Sequence, residues 1–305
     1  MSHKSKKDID LIKETTLILT QTDPLSDMMF QAWIDDGLHA DILFSPVVKI
    51  QRMVRRLWLN FFLPGYSLWF GAWKKKLTHH ETVIIHASEL TRTVPNYIHK
   101  MKPSMRIIYW YWNPVNAKSL PQLTKNSKIE CWSFDKYDCA KYNMKQNIQY
   151  YYDQTQDDLH KAEILYDVYF VGHDKGRSEK LHEIHEYIDA IGLNVKIDLV
   201  DDSSPNVPYA EVQKRIRKCR AILEVLQDGQ VGCTLRALEA LFYRKKLITT
   251  NFNIVNEDFY NSDNIFIYGK DDLNRLPQFI SGVYNLESDK YREQHTIDAW
   301  ISNFY

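Results

Sequence analysis

AILEVLQDGQVGCTLRALEALFYRKKLITTN, residues Ala221 to Asn251, holds a strand, a turn, a helix and a second strand in immediate succession. The apolar run Ala221 to Leu226 stops at the turn-forming Gln227-Asp228-Gly229. Leu235, Leu238, Ala240, Leu241 and Phe242 then recur at helical spacing, and Leu247 to Thr250 is again apolar. This order is one unit of a parallel sheet, in which ligands bind beyond the carboxyl ends of the strands.

Gly232 and Thr234 fall where the helix should start. Free backbone N–H groups and the positive end of the helix dipole make such a place an anion site. Glu239 lies about one and a half turns further on, where a carboxylate could bond the two hydroxyls of a ribose while the helix start holds phosphates. The same residues also suit a plainer role, with Gly232 and Thr234 capping the helix and Glu239 on a solvated face.

Gly-Cys-Thr-Leu-Arg-Ala-Leu-Glu-Ala-Leu, from Gly232 to Leu241, resembles the nucleotide-sugar signature of GT-B glycosyltransferases. The resemblance implies that Glu239 binds the donor ribose. Retaining members usually carry a second glutamate eight residues earlier; this chain has Val231 there, with Gln230 beside it, which favours an inverting reaction.

A chain of 305 residues fits two domains of about 150 residues each. At 44% hydrophobic and 26% charged residues it is an ordinary globular protein. Lys plus Arg equals Asp plus Glu, 39 each, so no global field draws in nucleic acid, and none is expected as a partner. The four cysteines show no CxxC or Cys/His ligand spacing, and no His/Asp/Glu cluster is spaced for a metal. Free thiols, a reducing cytoplasm and no signal peptide are the expectation.

In chain order, a Lys-rich leader to about Glu14 should be frayed. Thr16 to Thr20, the helix Met28 to Asp36 and the strand Ala40 to Phe44 read as a β-α-β start, with Asp23 and Asp27 in its first loop. Both aspartates also suit turn and cap chemistry. Lys49 to Lys76 has seven basic residues, no acid, and Trp58, Phe61, Phe62, Trp69, Phe70 and Trp73 between the basic clusters. It suits a headgroup region, where each Lys or Arg near anionic lipid adds about 1 kcal/mol. It should not span the bilayer, because Asn60 and Pro64-Gly65 interrupt it; a buried hairpin with solvated basic ends is the other reading. His79-His80 should be exposed.

Thr82 to His86 and Arg106 to Tyr111 are further strands, so His86, Ser88 and Glu89 emerge at a carboxyl end. Glu89 could act there as a general base, or Ser88 and Glu89 could begin a helix. Ile129 to Tyr152, IECWSFDKYDCAKYNMKQNIQYYY, reads as a strand, an Asp135-capped helix and an aromatic run, and resembles bacterial capsule and exopolysaccharide glycosyltransferases. Asp153 to His160 is the candidate linker. Tyr166 to Val171 is a strand and Gly172-His-Asp-Lys-Gly-Arg177 a loop before the helix Ser178 to Ile191. Glycine lets the backbone approach a ligand, and Lys175 and Arg177 can neutralise a diphosphate. Strands at Asn194 to Val200 and Asn264 to Tyr268 follow, and Ser288 to Phe304 is helical in pattern.

The expected fold is α/β: two Rossmann-like doubly wound domains of GT-B type, with a C-terminal helix crossing back to the first. Residues 1–155 would bind the acceptor, 160–285 the nucleotide-sugar donor, and 286–305 would pack on the first domain. The resemblance implies an inverting, metal-independent glycosyltransferase of bacterial surface polysaccharide synthesis. A UDP-sugar is the favoured donor and a lipid-linked or oligosaccharide acceptor its partner. Asp27 or Glu89 would be the base. Gly172, Lys175, Arg177, Gly232, Thr234, Arg236 and Glu239 would hold the donor, with no other cofactor. The enzyme would sit peripherally on the anionic inner face of the cell membrane. A catalytically silent partner subunit and a nucleotide-sugar epimerase share the architecture and stay open.

Overall fold

The computed structural model describes residues 5–21, 24–124, 126, 128–152, 162–200, 207–227 and 232–305, with the side chains of 24–28 outside that description. The chain divides into two units, Met1–Ile148 with Trp300–Tyr305, and Gln149–Ala299.

The first unit is a parallel sheet of β1 (Thr16–Thr20), β2 (His39–Ile42), β3 (Thr82–His86), β4 (Arg106–Tyr111), β5 (Ile129–Ser133) and β6 (Lys145–Gln146), in the order β2-β1-β3-β4-β5-β6. Its register places Ile18 opposite Ala40 on one side and Ile84 on the other. Every residue of β1 is buried, as expected of a parallel strand covered on both faces. The helices are α1 (Lys6–Thr15), α2 (Pro24–Asp35), α3 (Lys49–Asn60), α4 (Val94–Met101) and α5 (Lys136–Tyr142). Rather than fraying, most of the leader forms α1: Ser5 and Asp8 cap it reciprocally, and Lys13 bonds Asp36 at 2.6 Å.

The basic aromatic segment divides. Helix α3 ends at Asn60, Phe62 and Gly65 take positive φ, and Phe70 and Trp73 turn into the core. Ile50 (72% exposed), Met53 (62%), Leu57 (52%) and Phe61 (71%) remain outside. Among the described residues no helix is long and apolar enough to cross a membrane. His80, expected at the surface, is buried; its Nε2 lies 2.6 Å from His39 Nδ1 and its Nδ1 2.8 Å from the Lys76 carbonyl.

The second unit repeats the plan with β7 (Tyr166–His173), α6 (Ser178–Ala190), β8 (Val195–Val200), α7 (Tyr209–Arg217), β9 (Cys219–Glu224), α8 (Leu235–Phe242), β10 (Lys246–Thr249), β11 (Ile265–Ile267) and α9 (Leu276–Ser281). Its parallel sheet runs β11-β10-β9-β7-β8, with Ala221 opposite both Val168 and Lys246. In both units the strand order reverses beside the first strand, at β1/β3 and at β7/β9. Such reversals open the crevices in which α/β sheets bind ligands.

The predicted terminal helix is two pieces, a 3-10 helix Leu286–His295 and α10 (Ile297–Ser302). Thr296 between them is extended and its hydroxyl accepts from the Ala299 N–H, starting α10 afresh. From Trp300 the chain belongs to the first unit: Trp300 and Phe304 pack on Trp110, and Arg106 donates to the Phe304 carbonyl at 2.6 Å.

Candidate active site

At the reversal of the second unit, Arg177 clips two strands together. Its Nε and Nη2 donate to the His173 carbonyl of β7 (2.9 and 2.7 Å), and its Nη1 donates to the Val225 carbonyl just beyond β9 (2.6 Å). The guanidinium lies against Gly172, where a Cβ would stand 2.5 Å from Nη2. Gly172 is therefore needed for the close approach of Arg177. The intervening turn has positive φ at Lys175 and Gly176, with Lys175 exposed. Asp174 closes it by accepting from the Ser178 N–H and hydroxyl (2.9 and 2.8 Å).

Glu224, at the end of β9, is the residue that the sequence reading missed. It is buried and accepts hydroxyl bonds from Thr234, the N-cap of α8, and from Thr249 at the end of β10. One carboxyl group thus joins three elements at the carboxyl edge. Burial raises its pKa above the usual carboxylate range, against the two threonine bonds and the charges of Arg236 and Arg177, which lower it. A Glu inside the apolar run Ala-Ile-Leu-Glu-Val-Leu was the available signal.

Arg236 and Glu239 are partners on α8. Glu239 is 0% exposed; one oxygen accepts from Arg236, the other from the Tyr209 hydroxyl at 2.5 Å. With its one proton given to Glu239, the Tyr209 oxygen accepts from the Tyr151 hydroxyl at 3.0 Å. Glu239 therefore anchors Arg236 from within, rather than lying on a solvated face. Burial would lower the Arg236 pKa, but Glu239 outweighs it and holds the guanidinium charged. Arg177 is lowered first by burial and then by the charge of Arg236. Two guanidiniums thus repel across the reversal, and a bound anion would relieve the repulsion. Gly232 is buried just before α8, while 228–231, including Val231, lie outside the described residues.

In the first unit, Asp23 and the side chain of Asp27 lie outside the described residues. Glu89 follows β3, with one oxygen 2.8 Å from Arg56 Nη2 and the other 3.5 Å from Lys118 Nζ. His86 Nδ1 is 3.3 Å from the Thr20 hydroxyl, and Ser88 accepts from Gln21 at 2.6 Å. A cavity of about 970 Å³ opens here, bordered by Gln21, Asp41, Glu89 and α3. Among the described residues no group of three His, Cys, Asp or Glu side chains is placed to share a metal ion. No disulfide joins the four cysteines, and burial pushes Cys131 and Cys139 up to about 11.

No protein-family description matches the chain, and no curated protein matches its sequence. Solved structures do match its fold. Sucrose-phosphate synthase from Thermosynechococcus elongatus aligns over 95% of this chain and 96% of its own, with a TM-score of 0.59 at 9% identity. The fold is of the GT-B type. Weaker matches, each with a TM-score of 0.44 at 10% identity, are S. aureus MnaA with UDP, over 94% of both chains, and Anabaena HepE with UDP, over 98% of this chain and 91% of that one.

Proposed function

We propose that the chain transfers a sugar from a nucleotide-sugar donor, a UDP-sugar in the favoured case, to a lipid-linked glycan acceptor of bacterial surface polysaccharide synthesis. The observation that carries the proposal is the meeting of Arg177, Arg236 and the start of α8 at the β7/β9 reversal. Two guanidiniums and a helix start match a diphosphate, which is both the donor's binding handle and its leaving group.

In the reaction a base of the first unit, Asp27 or Glu89, takes the proton of an acceptor hydroxyl. The hydroxyl oxygen attacks the anomeric carbon, and the bond from that carbon to the diphosphate oxygen breaks with inversion. Arg177, Lys175, Arg236 and the Gly232–Thr234 helix start stabilise the charge that develops on the nucleoside diphosphate, with no metal required. Glu239 acts by positioning Arg236; contact with the donor ribose needs one oxygen released from Arg236 or Tyr209. The exposed Ile50, Met53, Leu57 and Phe61 beside Arg52, Arg55 and Arg56 support peripheral attachment to the anionic inner face of the cell membrane.

Release of nucleoside diphosphate is the test, measured over a panel of sugar nucleotides with prenyl-diphosphate-linked sugars as acceptors. Acceptor-dependent release from one donor, reduced at least about tenfold in Arg236→Gln, is expected. Release independent of acceptor, or isomerised sugar nucleotide as the only product, would overturn it.

A further inference from the structure

The cavity of the first unit has a charge balance that the donor reading does not use. It lies at the β1/β3 reversal, bordered by Gln21 after β1, Asp41 on β2 and Glu89 after β3. Helix α3 contributes Lys49, Arg52, Arg55 and Arg56 to the lining. Against these four cations stand two carboxylates, and both are already matched. Asp41 pairs with Lys76 at 2.8 Å, and Glu89 pairs with Arg56 and Lys118. Lys49, Arg52 and Arg55 have no ion pair with any described residue.

Their spacing is also informative. Positions 49, 52 and 55 recur every three residues, so the three cations share one side of α3. Arg55 is fixed rather than loose: its Nη1 donates to the Ser45 carbonyl at 3.1 Å and its guanidinium lies 4.7 Å over the Phe44 ring. Burial and the nearby charge of Arg52 both lower the Arg55 pKa. Like charges held together without counter-charge are costly, unless a ligand supplies the counter-charge. Guanidinium forks match phosphoryl oxygens in pairs, and about 970 Å³ has room for a diphosphate with an attached group.

We propose that this cavity is a second anion site, in which Arg52, Arg55 and Lys49 bind a phosphoryl or diphosphate group. The site stands on the first unit alone and does not depend on what the second unit binds. Phosphoryl groups of this kind come from a lipid-linked diphosphate or from a soluble phosphorylated sugar. Ile42, Val47 and Met53 on the same lining give the cavity an apolar component.

Hydrogen–deuterium exchange of the full chain locates the binding. Millimolar inorganic pyrophosphate should slow exchange in peptides covering 45–57, and Arg52→Gln with Arg55→Gln should weaken this at least about tenfold. Arg52→Gln alone, at an exposed position, gives a variant whose folding is not at issue. Geranyl diphosphate separates the sources: protection at about tenfold lower concentration than pyrophosphate assigns a lipid-linked ligand, and equal potency a soluble one. Protection confined to peptides around 172–178 and 224–240, equal protection in wild type and both variants, or an equal effect of sulfate at matched ionic strength would overturn the proposal.

Discussion

The two sheets share a strand order but treat charge in opposite ways at their reversals. In the second unit the charges are built in: Glu239 is wholly buried against Arg236 and Tyr209, and Glu224 is buried against Thr234 and Thr249. In the first unit the cations of α3 face an open cavity, and three of them have no carboxylate partner among the described residues. A preorganised site suits a ligand with one invariant part, such as a nucleoside diphosphate. An open cationic cavity suits ligands that share a charge and little else.

The largest test of this contrast is Arg236→Ala. It strands Glu239 in the core and should cost the second unit about 3 kcal/mol in urea unfolding, followed as a separate transition from that of the first unit. A cost below about 1 kcal/mol would mean that the pair is not a structural anchor.

Next comes pH. The folded-state pKa of Glu224 is raised, so folding takes up protons just above the usual carboxylate range; its contribution is complete at low pH and is lost as pH rises through the folded value. Glu224→Gln should therefore flatten the fall in the second unit's melting temperature between acidic and neutral pH. Glu130 in the first unit has the opposite sign. Burial would raise its pKa, but bonds from Arg106 at 2.7 and 3.0 Å and from Lys145 bring it to about 2. Its contribution is present above the ordinary carboxylate value and is lost as pH falls toward about 2. Glu130→Gln should remove that acid sensitivity from the first unit, as melting curves at stepped pH would reveal.

Gly172→Ala should have a smaller effect on stability than on binding. The added Cβ meets the Arg177 guanidinium and displaces it from the His173 and Val225 carbonyls, so nucleotide affinity should fall about tenfold with a modest loss of melting temperature. Smallest of all, Arg52→Ala at an exposed position should change stability by less than about 0.5 kcal/mol. A large loss there would show that α3 is bound into the fold rather than open to a ligand.

The alternation of apolar runs and helical spacing made most of the fold legible, because buried parallel strands such as Thr16–Thr20 are nearly continuous in apolar residues. The start of α8 at Thr234 was legible for a related reason: a helix start after a strand has a defined place in such sheets, and Arg177 and Arg236 were singled out beside it as donor-site candidates. What lay hidden depends on contacts distant in sequence. Glu89 meets Arg56 across 33 residues, and no local pattern announces it. Phe70 and Trp73 look like their exposed neighbours Phe61 and Phe62 until the chain turns them into the core. Glu239 could be read as a surface residue because its partner Tyr209 lies on another helix, 30 residues earlier.

The most direct test of the proposed donor site is a thermal-shift panel of UDP, GDP, CMP and ADP, with and without Mg²⁺, on wild type, Arg177→Gln and Gly172→Ala. A ligand at 100 times its Kd stabilises the folded state by about 2.7 kcal/mol. The account predicts a selective rise with one nucleotide, UDP in the favoured case, that both variants reduce. No shift with any nucleotide at millimolar concentration, or a shift unchanged in both variants, would contradict it.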